Sequence, residues 1–147
     1  MKKIAFLLLL ACTIVTASVS GQKYLNRNAD EGFAKSLKTT DSTVTAIDSI
    51  ITTSNEAGVV LVNVVGYNPA TSDAVTGIRA FRYKVVAGTV TLGTISDVSA
   101  IVTDTGLGTA TFTISVVSNK IYLRVKGKAA TTIYWRSVTQ RKSIQKE

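Results

Sequence analysis

From Thr43 onward, apolar and polar residues alternate in short runs, with turn-forming residues about every ten positions. That spacing predicts strands near residues 43–53, 58–67, 77–87, 89–95, 98–103, 109–118, 120–127 and 130–140. Asn68-Pro69, Ala87-Gly88, residues 104–108, Ser118-Asn119 and Lys126-Gly127-Lys128 punctuate them with residues that suit tight turns or tolerate positive φ. Side chains two apart on a strand share a face. Phe112, Ile114 and Val116 therefore oppose Thr111, Thr113 and Ser115, while Ile121, Leu123 and Val125 oppose Tyr122, Arg124 and Lys126, and the two runs make a hairpin with one apolar face. Ile133 and Trp135 are the inward residues of the last strand; Trp135 marks the core, and its indole N–H needs a partner there. The nearly continuous apolar run 59–65 reads as a central strand covered on both sides. The expected fold is all-β, a single antiparallel β-sandwich of about seven to eight strands, spanning residues 43–140 and followed by a charged tail, 141–147.

The first 42 residues follow a different pattern. Met1, Lys2 and Lys3 precede an apolar run from Ile4 to Val15, the shape of a signal peptide. The run is shorter than the roughly 20 residues a membrane-spanning helix requires. Small residues at Ala17, Ser18, Ser20 and Gly21 offer cleavage points, so residues 1–21 are read as a leader and the chain as exported. Leu9-Leu10-Ala11-Cys12 also resembles a lipobox, which makes Cys12 a candidate for lipidation. Cys12 is the one cysteine of the chain, so a cleaved product has no disulfide and depends on its packed core. Residues 22–42 hold only Tyr24, Leu25, Phe33 and Leu37 as sizeable apolar groups and read as a polar linker, or as an arm that docks on a partner. Phe33, Ala34 and Leu37 have the spacing of one weak helical turn, marginal at this length.

Composition sharpens the picture at three points. Val, Ile and Thr make up about a third of the chain, a bias toward residues that suit a pleated surface. The chain has no His, which removes the usual member of catalytic triads and imidazole metal sites. With 17 Lys and Arg against 9 Asp and Glu, the net charge is +8. Arg82 and Lys84 share one strand face, Arg124 and Lys126 another, and Tyr122, Tyr134 and Arg136 have matching outward parity, so these seven residues are the candidate ligand face, suited to acidic glycans. The competing reading gives such residues to solubility and edge protection, and without a nucleic-acid-binding motif no nucleic-acid partner is expected. Asp73, Asp97 and Asp104 lie in or near predicted turns, and turn formation explains them better than a metal site or a catalytic pair. Gly106-Leu107-Gly108 lacks the helix and Lys-Ser/Thr signature of a phosphate loop. No catalytic residue, metal or cofactor is expected.

The C-terminal half carries a rhythm of its own: Ile78-Arg79-Ala80-Phe81-Arg82-Tyr83-Lys84, Gly88-Thr89-Val90-Thr91-Leu92-Gly93, Ala110-Thr111-Phe112-Thr113-Ile114-Ser115, then residues 121–127 closing on a glycine turn before Thr131-Thr132-Ile133-Tyr134-Trp135. It resembles small β domains in the tail fibres, head fibres and related appendages of tailed phages. The resemblance implies a non-enzymatic structural or adhesive domain on a virion surface. An appendage gains from multivalency, so homo-oligomers, with the trimer as the expected state for a fibre, and attachment to another virion or surface protein through the N-terminal arm are expected. The leader supports the alternative of a bacterial secreted or surface-tethered binding module, with glycans as its ligand.

Overall fold

The computed structural model describes residues 33–145. The leader 1–21 with Cys12, the linker residues 22–32 and the last two residues lie outside the described residues. Eight strands follow in order: β1 (Phe33–Thr39), β2 (Val44–Ile51), β3 (Glu56–Tyr67), β4 (Ala74–Val86), β5 (Thr89–Thr103), β6 (Thr111–Val117), β7 (Lys120–Lys126) and β8 (Ile133–Gln145). Every pairing is antiparallel. A five-stranded sheet, β1-β8-β3-β4-β5, packs on a three-stranded sheet, β2-β7-β6, as the sequence pattern predicts for a sandwich.

Alternation builds the core between the sheets. Val60, Val62 and Val64 of β3, Val75, Phe81, Tyr83 and Val85 of β4, and Ile133 and Trp135 of β8 are buried from one side. Phe112 of β6 and Ile121, Leu123 and Val125 of β7 meet them from the other. The predicted hairpin of these last two strands is present, with Ile114 opposite Leu123 and Val116 opposite Ile121. Trp135 is 1% exposed, and its Nε1 donates to Thr39 Oγ1 at 2.9 Å.

Five expectations are corrected. The segment 22–42 is not all tether, because Phe33–Thr39 forms edge strand β1, pairing with β8 from Phe33↔Thr139 to Thr39↔Ile133. A helical turn at Ala34 and Leu37 is excluded by that pairing, whose backbone bonds an isolated turn cannot match. The predicted strands 89–95 and 98–103 are the single strand β5; Ser96-Asp97 does not turn the chain, and register shifts against β4 absorb the irregularity. The charged tail is strand as far as Gln145, since β3 offers pairing partners down to Glu56↔Gln145. Finally, β3 is central but covered on one side only: Val59 and Val65 are 50% and 41% exposed on the outer face.

The topology gives the sandwich two unlike ends. Loops 40–43, 68–73, 104–110 and 127–132 gather at one, called the loop end. The short turns 52–55, 87–88 and 118–119 and the end of β8 lie at the other. β1 starts beside Thr139 and runs toward the loop end.

Candidate functional site

Charge is sorted by position in this fold. Residues paired across strands share a face, so the register puts Lys38, Arg82, Lys84, Arg136 and Lys142 on the outer face of the five-stranded sheet. Lys120, Tyr122, Arg124 and Lys126 line the outer face of the three-stranded sheet. The acidic residues stand elsewhere. Asp41, Asp73 and Asp104 are in loops, Asp48 and Glu56 point between the sheets, and Asp97 on edge strand β5 pairs with Arg79 at 2.7 Å. Among the described residues, both outer faces therefore carry Lys and Arg without Asp or Glu.

The single ligand face suggested by parity is not formed. Tyr122, Arg124 and Lys126 lie on one sheet and Arg82, Lys84, Tyr134 and Arg136 on the other, facing opposite directions. Parity distinguishes inward from outward, yet it does not say to which sheet a strand belongs. Even the four on one face are divided. Tyr134 pairs with Tyr67 and Arg136 with Val65 near the loop end, whereas Arg82 and Lys84 pair with Val59 and Ala57. At about 3.3 Å per residue, roughly 25 Å separates the two groups along the strands.

The structure adds residues to each group. Lys142 joins Arg82 across Val59, around a shallow depression that also borders Gly58 and Ile144. Near the loop end, Tyr67 and Tyr134 are register partners on neighbouring strands, 43% and 50% exposed. Lys38 of β1 pairs with Tyr134, its Nζ 5.8 Å from the ring centroid. A second depression between β1 and β8 is bordered by Ser36, Lys38, Tyr134 and Arg136. Tyr67 lies two residues past the continuous apolar run 59–65, Lys38 falls in a segment whose polar composition predicts a linker, and Lys142 follows the last predicted strand, so sequence pattern alone does not place them on this face. A useful signal was the alternation of Lys38, Ser36 and Ala34 against Leu37 and Thr39, faint because one apolar side chain carries it.

Other polar groups are tied up in structure. At the turn end, the Tyr83 hydroxyl donates to Glu56 Oε1 at 2.6 Å and accepts from Arg141 Nε at 2.7 Å, while Arg141 also pairs directly with Glu56. Thr53 supplies its N–H and hydroxyl to Glu56 Oε2 at 2.9 and 3.0 Å. Burial pushes the Tyr83 phenol above its ordinary value, with a Ser143 hydrogen bond acting against the shift. At the loop end, Asp73 accepts from the Thr71 hydroxyl within its own turn, Asp104 Oδ2 accepts from the Ala74 N–H at 2.7 Å and so ties its loop to the start of β4, and Asp97 pairs within the sheet. Among the described residues no three His, Cys, Asp or Glu side chains gather as a metal site. A small, partly open cavity of about 10 Å³ beside Asp48 and Thr139 has room for roughly one water.

No protein-family model matches the sequence, and no curated protein matches it. Among solved structures, the tailspike protein of Acinetobacter baumannii phage AM24 is 12% identical, with a TM-score of 0.41 over 82% of this chain and 27% of that one. Tailspike protein gp49 of Acinetobacter baumannii bacteriophage Fri1, a capsular polysaccharide depolymerase, is 10% identical, with a TM-score of 0.40 over 77% of this chain and 19% of its own. The tailspike protein of Acinetobacter phage vB_ApiP_P1 is 18% identical, with a TM-score of 0.36 over 80% and 21%. The chain spans about a fifth to a quarter of the length of these proteins. All three likenesses are weak, below 0.5 in TM-score and below 20% in identity.

Proposed function

We propose that this chain is a non-enzymatic adhesive domain of a surface appendage, tethered through the residues before Phe33 and holding its sheet faces against an acidic partner. The observation that carries the reading is the sorting of charge: outer faces with Lys and Arg only, and carboxylates confined to loops, interior and the β5 edge. The direction of β1 supports the geometry, since the strand begins beside Thr139 and runs toward the loop end. The non-enzymatic part is supported by the occupation of Glu56, Asp73 and Asp104 in structural hydrogen bonds. Binding of the full chain to bacterial cells, measured against rising salt, tests adhesion: retention that weakens with salt supports it, and absence of retention at low salt overturns it. Release of reducing ends from the bound surface polysaccharide would overturn the non-enzymatic part.

Self-association, with the trimer as the expected state, belongs to the same reading, because weak contacts on one small domain gain strength through multivalency. Sedimentation showing monomer alone at high micromolar concentration would sink it. A secreted or surface-tethered bacterial module remains the second reading, favoured by the apolar leader. Neighbouring capsid or tail genes support the virion assignment, and neighbouring secretion or uptake genes the bacterial one.

A further inference from the structure

We infer that the Tyr67–Tyr134 pair, with Lys38 and Arg136, is a binding site for the interior of an acidic polysaccharide chain, the tyrosine rings carrying the apolar face of a sugar and the two cations its carboxylate. The inference rests on the adhesive reading and assigns it a place and a ligand class.

Two half-exposed tyrosines on adjacent strands are costly to leave bare, since each presents a large apolar ring to water. Being cross-strand partners, they stand about 5 Å apart at Cβ and form one continuous surface. Tyr67 is oriented from the side, its hydroxyl reaching Ser72 Oγ at 3.4 Å. Lys38 lies over the Tyr134 ring, and Arg136 is two residues further along the same face, opposite Ser36 and Val65. Neither Lys38 nor Arg136 has an ion-pair partner among the described residues. The nearest loop carboxylates are engaged, Asp41 by the Thr43 N–H at 2.7 Å and Asp73 by the Thr71 hydroxyl. What faces solvent is thus a pair of half-exposed tyrosines with two cations that have no ion-pair partner among the described residues, Lys38 over the Tyr134 ring and Arg136 beside it, complementary to an anion that also has an apolar surface.

Charge spacing selects the class. Nucleic acid has one phosphate per nucleotide and calls for a continuous basic track. On this face, the next cations, Arg82 and Lys142, stand six register positions from Arg136, roughly 20 Å at about 3.3 Å per residue, with uncharged Leu61, Asn63, Val138 and Gln140 between, and Lys84 lies two positions beyond. That interval suits a polymer whose carboxylates are separated by uncharged sugar rings. The site lies on an open sheet face without enclosing walls, so it accepts the middle of a chain and has no means of recognising an end.

The test uses the full chain and four probes: hyaluronan, in which uronate and uncharged sugar rings alternate, short hyaluronan oligomers, neutral dextran and single-stranded poly(dT). Hyaluronan is expected to bind, dextran not, and the short oligomers to bind weakly. The Tyr67→Ala/Tyr134→Ala and Lys38→Ala/Arg136→Ala pairs should each weaken hyaluronan binding by about tenfold or more, near 1.4 kcal/mol. Tyr67→Phe/Tyr134→Phe should retain it, because the ring faces remain, and this pair also guards against loss of fold. Equal loss on Arg82→Ala/Lys84→Ala/Lys142→Ala or on Tyr122→Ala/Arg124→Ala/Lys126→Ala, or poly(dT) binding as tight as hyaluronan, overturns the site. Adhesion to cells that survives both loop-end pairs overturns the site while leaving the adhesive reading intact. A chain that binds neither cells nor any probe overturns both.

Discussion

The indole Nε1 of Trp135 donates to Thr39 Oγ1 at 2.9 Å, joining residues 96 apart in sequence and fastening edge strand β1 to the core. Thr39 is itself buried, with Gly127 packed against it from the loop between β7 and β8. Thr39→Val keeps the shape but leaves a buried N–H without a partner, a loss of about 1–3 kcal/mol. Thr40→Val, one residue on and exposed, should leave the urea midpoint unchanged. Equal midpoints for the two variants would show that β1 is not held through this bond.

Adjacent residues on β8 should separate core from surface. Trp135→Ala removes a ring that is 1% exposed and should lower stability by about 3–5 kcal/mol. Tyr134→Ala, half exposed on the outer face, should change it by no more than about 0.5 kcal/mol. Denaturant midpoints of the two variants give the ranking directly, and its reversal would require the opposite face assignment for the whole strand.

The Glu56–Tyr83–Arg141 group should make the sandwich sensitive to alkali. Glu56 is 3% exposed and accepts from Tyr83, Thr53 and Arg141, so Glu56→Ala leaves the buried Tyr83 hydroxyl without its acceptor and should cost about 1–3 kcal/mol. Burial holds the Tyr83 phenol above its unfolded value of 10.0. Above that pH the unfolded chain gives up the proton while the folded one keeps it, so the Tyr83 contribution is complete below pH 10.0 and declines as pH rises through the folded value. Tyr83→Phe should therefore start less stable at neutral pH, having lost its hydrogen bonds, yet lose stability less steeply beyond about pH 10. Parallel slopes for the two proteins in that range would contradict the assignment.

Much of this was readable from the sequence where side chains alternate strongly. The β6–β7 hairpin follows from period-two patterns with three apolar residues on one side of each strand, and the inward placing of Ile133 and Trp135 from a shorter alternation of two large apolar residues against Tyr134 and Arg136. That Trp135 needed a partner was equally legible. That the partner was Thr39 was not, because an edge strand has one free edge and one solvated face and can be held by few apolar groups, here with Leu37 packed on the core. Ser96-Asp97 resembles a turn in sequence, yet its carboxylate meets Arg79 across the sheet and the strand continues through a bulge. The ligand face failed for a different reason: Tyr122 and Tyr134 have the same outward parity but sit in different sheets, a fact set by strand order that no local pattern encodes.

The glycine positions allow backbone demand to be separated from packing demand. Ala87 and Gly88 join β4 to β5 with φ of 48° and 78°, the left-handed pair that a two-residue hairpin with matched twist requires. Alanine is unsuited to that region by about 1–2 kcal/mol, so Ala87→Asn, a residue that visits it more readily, should raise stability by roughly 0.5–1 kcal/mol. A Cβ on Gly88 would meet nothing within 4 Å, so whatever Gly88→Ala costs is backbone strain, and Gly88→Asn should recover part of it. Gly66 is the opposite case. A Cβ there would stand 2.7 Å from Val75 Cγ1 and 2.8 Å from the Trp135 ring, and its φ is not left-handed. Gly66→Ala should therefore cost about 1–3 kcal/mol through overpacking, and Gly66→Asn should cost more because it adds bulk and a polar group to the same wall. Denaturant midpoints for the four substitutions at Gly66 and Gly88 decide the matter: Asn should do better than Ala at Gly88 and worse than Ala at Gly66, and the same order at both would show that one cause, not two, selects glycine in this sandwich.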